Sequence, residues 1–370
     1  MNLVSLTITD FRNIEQVTFE PEPGGTTLIT GLNGAGKTSV LEAVSYLSTL
    51  QSFRGSPREA MVRHGAERSI LRAEVVEEGR SLSIEAELSA SGTSRTFVNR
   101  QRVRRRGDLH EALRTTTFTP EAIQVVRGAP TDRRRFLDET LAVVDPKEAR
   151  HSEAVERILR QRGALLRNSR RVTAEVASTL DVWDARLGAA GSALADARAA
   201  LAVQLVPLVE SHYTRLAGRP TRVVLEYRRS WSGPLLAALE ASRTRDIERG
   251  TSSVGPHRDE LALSLDGLAG RSHASQGEQR TLALALELGA HQLATERLGT
   301  PPVLLLDDVF SELDPRRSKA LLAGLPAGQA LITTAFATSS GVPADKLYAM
   351  ESGGHTVTSP EGIREGAPDR

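Results

Sequence analysis

The sequence predicts an α/β fold: a mixed sheet around one Gly-rich loop, with a helical hairpin inserted between its two halves. Three observations carry this. Thr27–Gly31 reads as a short strand that enters a Gly-rich turn and then a helical pattern, Val40, Val44 and Leu47. Residues 146–217 are continuously helical in pattern, with alternating strand patterns on both sides. Val303–Leu306 is apolar throughout and ends in Asp307 and Asp308, as a buried parallel strand would.

The first of these contains Gly31-Leu32-Asn33-Gly34-Ala35-Gly36-Lys37-Thr38, a G-x-x-x-x-G-K-T phosphate loop in the strand–loop–helix context that the motif requires. Glycines let backbone N–H groups close round an anion, and the helix aims its positive end at the same point. Lys37 is expected on the β- and γ-phosphates of ATP and the Thr38 hydroxyl on Mg²⁺. The chain has only four lysines, at 37, 147, 319 and 346, against 47 Lys plus Arg, and one of them stands here.

Composition bounds the alternatives. A chain of 370 residues can hold two or three domains, or one large α/β domain with an insertion; 39% hydrophobic and 25% charged residues are ordinary for a globular protein. Net charge is +1, so a nucleic-acid surface has to be a local basic patch. The absence of cysteine excludes a disulfide framework and thiolate zinc sites, and suits a reducing interior. The N-terminus lacks a basic leader, and no run reaches the ~18 apolar residues of a membrane span, so a cytoplasmic protein without a membrane partner is expected.

Along the chain, Val4, Leu6 and Ile8 alternate with polar residues as a half-buried strand, and a second strand centres on Val17-Thr18-Phe19. Ile70–Val75, Leu82 to Leu88 and Thr96–Asn99 continue the pattern, so residues 1 to about 115 are expected to form one mixed sheet. Arg100, Arg102, Arg104, Arg105 and Arg106 then crowd seven residues: a cationic edge for DNA phosphates, or a solvated loop. Val125-Val126 reads as strand, broken by Gly128 and Pro130, with Thr131 or Asp132 capping a helix from Arg133. Arg133, Arg134 and Arg135 in a first helical turn oppose the dipole and call for anionic or acidic partners; Arg133 and Arg134 are further DNA candidates. Over 146–217, soft breaks at Asn168, Gly188, Gly191 and Pro207 suggest hairpin arms of ~25 residues, about 40 Å long. Strands resume at Arg222–Tyr227 and at Leu261, Leu263 and Leu265. His257, in the intervening Gly-Pro-His-Arg-Asp turn, is expected near nucleotide or DNA.

Ser275-Gln276-Gly277-Glu278-Gln279-Arg280 opens a long helix carrying Leu282, Leu286 and Leu293. S-x-x-E is a capping box, and Ser275 with Gly277 at a helix start is also an anion site. It resembles the signature of ABC-type ATPases, which completes a partner subunit's site. Asp307 is placed to hold Mg²⁺ through water and Asp308 to orient the attacking water. Ser311-Glu312-Leu313-Asp314 follows at the distance of an ABC-type D-loop. Leu331–Thr334 reads as the last core strand. Boundaries follow at 1–145 for the N-terminal part of the head, 146–217 for the hairpin, 218–350 for the C-terminal part, and 351–370 for a polar tail expected to be mobile.

Taken in order, Phe11-Arg12-Asn13, the phosphate loop, Ser52-Phe53-Arg54, Pro120 to Asp138, Gly255–Asp259, Ser275–Arg280 and Leu306–Asp314 resemble the RecF family, related to the ATPase heads of SMC proteins. The resemblance implies an ABC-type (SMC-head-like) P-loop ATPase head that dimerises around ATP, with Arg12 and Gln279 added to the nucleotide contacts. It also implies binding to gapped DNA or single-strand/double-strand junctions, and cooperation with RecO and RecR in loading RecA. Asp308 replaces the Glu of transporters, no switch histidine follows Thr333-Thr334, and Gln124 is the one candidate for a Q-loop; slow, timer-like hydrolysis is expected. A transporter ATPase subunit is disfavoured by the 307 − 37 = 270 residues between its motifs. A metabolic P-loop kinase leaves Ser275 and Asp314 unexplained.

Overall fold

The computed structural model describes residues 1–103, 107–169, 171–335, 342–351 and 354–358. From the N-terminus come β1 (Asn2–Phe11), β2 (Ile14–Phe19), β3 (Thr26–Gly31), α1 (Lys37–Thr49), β4 (Arg68–Glu77), β5 (Arg80–Ser89), β6 (Arg95–Val98), β7 (Gln101–Arg102), α2 (Gly107–Ala112) and β8 (Thr115–Phe118). The middle holds α3 (Gln124–Arg127), α4 (Pro130–Val144), α5 (Pro146–Asn168), α6 (Ala174–Ala217), β9 (Val223–Arg228), α7 (Leu235–Arg249), β10 (Glu260–Leu265), β11 (Leu268–Ala269), α8 (Gly270–His273) and α9 (Gln276–Leu298). The chain closes with β12 (Val303–Leu306), α10 (Pro315–Ala323), β13 (Ala330–Thr334), β14 (Lys346–Glu351) and β15 (Gly354–Thr358). Two compact units result, residues 1–122 with 290–370, and 123–289.

The first unit contains two six-stranded sheets where one mixed sheet was expected over its N-terminal part. β2-β1-β4-β5-β6-β7 is antiparallel throughout, whereas β15-β14-β3-β13-β12-β8 is parallel except at its β14–β15 hairpin. Burial separates them. β4 and β5 alternate buried with half-buried or exposed residues, as strands solvated on one face do. Thr27 to Thr30 of β3 are all buried, and such a strand needs parallel neighbours, which β13 and β14 supply from the far end of the chain. β1 corrects the expected phase: Leu3, Leu6 and Ile8 are buried and Val4 is not, because the register against β4 shifts between Leu3 and Ser5.

β14 and β15 are also corrections. Leu331–Thr334 is followed by a further parallel strand, β14, and 354–358 pair with it where a mobile tail was expected. Residues 359–370 lie outside the described residues.

In the second unit, Val125-Val126 is helical and α4 begins at Pro130, three residues before the expected start. Pro suits a first helical position, and Asp132 Oδ2 accepts the Ala129 N–H at 2.8 Å. The hairpin is α5 and α6, and it shares its unit with α4, α7 and the sheet β11-β10-β9. α6 runs unbroken for 44 residues, ~66 Å rather than about 40 Å, through Gly188, Gly191 and Pro207. Its glycines serve packing: a Cβ at Gly191 would lie 2.7 Å from Leu235 Cδ2. By length and hydropathy alone, α6 also contains a window apolar enough to cross a membrane, contrary to the sequence expectation. In the fold, Leu187, Leu194, Leu201 and Leu205 of that helix are buried.

Candidate nucleotide-binding site

The loop after β3 is shaped by backbone. Gly31, Gly34 and Gly36 have φ of 147°, 86° and 106°, where side chains are strained. At Gly31 close approach adds a second reason, since a Cβ would lie 2.3 Å from the Met350 carbonyl on β14. Leu32, Asn33 and Gly34 face outward, while Ala35 packs in the core. Asn13 braces the loop: its Nδ2 donates to the Gly34 carbonyl at 2.6 Å, and its Oδ1 accepts the Ser39 hydroxyl on α1 at 2.9 Å. The 13-residue α1 starts at Lys37, so its positive end points into the loop.

Three strand ends converge beside it. Lys37 Nζ donates to the Gly31 and Leu32 carbonyls at 2.7 and 3.0 Å. Burial lowers its pKa from the usual lysine value, with Asp308 and then Asp307 opposing. Asp307 Oδ1 accepts two hydroxyls, Thr38 Oγ1 at 2.9 Å and Thr333 Oγ1 at 2.7 Å. Burial raises the Asp307 carboxyl, and these two bonds hold it back. The Thr333 oxygen also accepts the Asp308 N–H at 2.9 Å. Asp308 sits in the left-handed region, φ 46°, and its Oδ1 is buried with no hydrogen-bond partner among the described residues. A strained acid with an unmatched oxygen at the mouth of a phosphate loop is the observation that favours a role in chemistry. Thr333, which ties the two aspartates together, was not singled out in the sequence; its only signal was its place at the end of a strand after the acid pair.

The donor set fits a nucleoside triphosphate with Mg²⁺. An ammonium and loop N–H groups suit phosphates, and a hydroxyl with a carboxylate suits a hard cation that takes its other ligands from phosphate and water. No group of three or more His, Cys, Asp or Glu side chains that could hold a metal ion occurs among the described residues.

Arg12, also left-handed at φ 55°, forks onto Glu42 Oε2 and Oε1 at 2.8 and 2.6 Å and reaches the Ala60 carbonyl at 2.7 Å. Glu42 is fully buried on α1 and also accepts the Ser52 hydroxyl. The Phe-Arg-Asn and Ser-Phe-Arg stretches therefore meet at one carboxylate, a link the spacing did not reveal.

The signature residues lie in the second unit. Ser275 and Glu278 form the expected capping box, with Ser275 N–H to Glu278 Oε2 at 2.9 Å and Glu278 N–H to Ser275 Oγ at 3.3 Å. Gly277 lies in the first turn of α9, and its carbonyl accepts the Thr281 hydroxyl. Gln279, expected to meet nucleotide, is buried: it accepts Arg127 Nε and donates to the Gly270 and Arg271 carbonyls at 3.1 and 3.0 Å. Gln124, the Q-loop candidate, opens α3, and its carbonyl accepts the Gly128 N–H.

Of the DNA candidates, Arg100 and Arg102 are exposed, and Arg104, Arg105 and Arg106 lie outside the described residues. Arg133 is turned inward, forked on Glu260 at 2.6 and 2.9 Å with Nη1 on the Val125 and Gly128 carbonyls. Arg134 donates to the Asp259 carbonyl and the Thr131 hydroxyl. The acidic partner called for by the arginine triplet is thus partly Glu260 of the same chain. His257 Nε2 pairs with the Ser252 carbonyl at 3.0 Å, and burial pushes its pKa down to about 4.

Residues 2–358 match the family described as RecF/RecN/SMC N terminal domain. A DNA replication and repair protein RecF of Frankia alni is 41% identical over 93% of this chain and 96% of its own length. The chain belongs to the RecF family. A second RecF, from Streptomyces avermitilis, is 39% identical over 95% of this chain and 99% of its own. Among solved structures, the recombination mediator protein RecF with ATP, of the RecFOR pathway, superposes with a TM-score of 0.86 at 28% identity, covering 96% of this chain and 98% of that one. An Smc head bound to the C-winged helix domain of ScpA matches at 15% identity, with a TM-score of 0.57, and covers 99% of this chain and 100% of that one. The fold is therefore that of an SMC-type ABC ATPase head, as the RecF resemblance implied.

Proposed function

We propose that the chain is an ATP-dependent DNA-binding protein of recombinational gap repair in the cytoplasm. ATP pairs two copies on gapped DNA or at single-strand/double-strand junctions, and slow hydrolysis releases them. The observation that carries the reading is the convergence of Lys37, Thr38, Asp307, Asp308 and Thr333 at the mouth of the phosphate loop. Lys37 would leave the Gly31 and Leu32 carbonyls for the β- and γ-phosphates, and Thr38 with Asp307 would hold Mg²⁺. When bound, Mg²⁺ supplies charge neutralisation at the transferred phosphoryl group. Asp308 Oδ1 orients water for attack and accepts its proton; this acid is one methylene shorter than Glu, which favours a slow step. Ser275 and Gly277, at the positive end of a 23-residue helix, act in trans on the γ-phosphate held by the second copy. Arg100 and Arg102, with Arg104, Arg105 and Arg106, offer guanidinium groups to DNA phosphates. RecO and RecR are the expected partners, with RecA the protein loaded.

Retention on gapped duplex with and without ATP tests this. The native chain is expected to be retained only with ATP, and Lys37→Ala in neither case. Equal retention without nucleotide would contradict the reading.

A further inference from the structure

The cap of α9 places a charge where the trans reading needs a neutral or cationic surface. Ser275 gives both its N–H and its hydroxyl to one atom, Glu278 Oε2, at 2.9 Å each. The donors meant for a γ-phosphate already hold an anion. A carboxylate beside an arriving phosphate repels it, the more so as closing surfaces exclude water. The second oxygen of that carboxylate, Oε1, accepts Arg219 Nη2 at 2.9 Å, and Arg219 Nη1 lies 3.7 Å from Asp266 Oδ2. Arg219 follows Gly218, the left-handed residue that ends α6, so its backbone is fixed by a helix cap. Asp266 is held in turn by the Arg222 N–H at 2.9 Å. Side-chain exposures of 55% for Arg219 and 32% for Glu278 leave the pair free to rearrange at little cost.

We propose that Arg219 is a positioning residue for nucleotide-dependent pairing: it draws the Glu278 carboxylate off Ser275 and neutralises it as the γ-phosphate of a second copy arrives, a role that rests on the trans reading of Ser275 and Gly277. The exchange moves hydrogen bonds only. Ser275 N–H and Oγ–H pass from Glu278 Oε2 to a phosphate oxygen, and the freed carboxylate oxygen turns to the Arg219 guanidinium. The ligand is the terminal phosphate of a nucleoside triphosphate; a diphosphate would not reach these donors.

Sedimentation of the full chain in a concentration series with a non-hydrolysable ATP analogue tests it. Arg219→Ala is expected to weaken pairing about tenfold or more, from two like charges brought within ~4 Å. Arg219→Lys, which keeps the charge, is expected to lose less. Glu278→Gln keeps the capping geometry without the charge, so in that background Arg219→Ala is expected to cost less than about twofold. A purely structural role for Arg219 would not be relieved by Glu278→Gln. Pairing by Arg219→Ala within twofold of native, or the same loss in both backgrounds, would overturn the proposal. If the native chain stays single with the analogue, or Ser275→Arg pairs as well as native, the trans reading itself falls and the role of Arg219 with it.

Discussion

Arg162→Met is expected to destabilise the second unit by about 3–5 kcal/mol, a large part of the ~5–15 kcal/mol that holds a domain folded. Arg162 of α5 is fully buried, with Nε on Asp184 Oδ1 at 2.7 Å and Nη1 on Asp246 Oδ2 and Ser252 Oγ at 2.9 and 2.7 Å. Arg243 Nε reaches the other Asp184 oxygen at 2.8 Å and its Nη2 the exposed Asp181 at 2.7 Å, so two arginines balance the two buried aspartates, Asp184 and Asp246, across α5, α6 and α7. Methionine fills much of the volume but leaves one aspartate charge uncompensated in the interior. Asp246→Asn in the Arg162→Met background is expected to recover about half of the loss, because the Ser253 N–H can still donate to the amide oxygen at this position. Both tryptophans, Trp183 and Trp231, lie in this unit, so urea unfolding followed by tryptophan fluorescence reads it selectively. A loss below about 1 kcal/mol, or no recovery in the double variant, would refute the claim that the cluster is charge-balanced and buried.

Other expectations follow from the two aspartates, the Glu42 cluster and the Gly-Pro-His turn. Lys37→Ala should lower ATP affinity by about a hundredfold or more, measured by calorimetry, since among the described residues no other side-chain cation donates to this loop. Thr333→Val should slow single-turnover hydrolysis about tenfold while changing ATP affinity less than about threefold, because it frees Asp307 and Asp308 without touching the loop; an unchanged rate would remove Thr333 from the site. Arg12→Ala should cost about 3 kcal/mol of stability in the first unit, as it strips the buried Glu42 of its cation. His257 is neutral in the fold, with its pKa depressed to about 4, so its contribution is complete above pH 6.5 and is lost as pH falls from there towards 4. The loss should approach about 3 kcal/mol, and His257→Gln should flatten the pH dependence in that window.

Much of the site was legible in the sequence because its parts are local. A phosphate loop is one strand, one turn and one helix start, and Val303–Asp308 announces a buried strand with acids at its end. Partnerships between separate elements were not legible. Nothing in the spacing said that β14 would press Met350 against Gly31, that Thr333 would hold both aspartates, or that Glu42 would bind Arg12 and Ser52 together. Gly188, Gly191 and Pro207 read as breaks because propensity describes an isolated helix, whereas in α6 the close approach of Gly188 to Leu236 and of Gly191 to Leu235 and Pro256 overrides it at the glycines. Arg133 read as a DNA contact for the same reason: a side chain's partner is set by tertiary neighbours, here Glu260, more than by its sequence company.

Sedimentation velocity of the native chain and of Ser275→Arg, each with and without ATP, tests the central claim most directly. The native chain is expected to shift from single copies to pairs only when ATP is present, and Ser275→Arg to stay single in both conditions. ATP-dependent pairs formed equally by Ser275→Arg would contradict it.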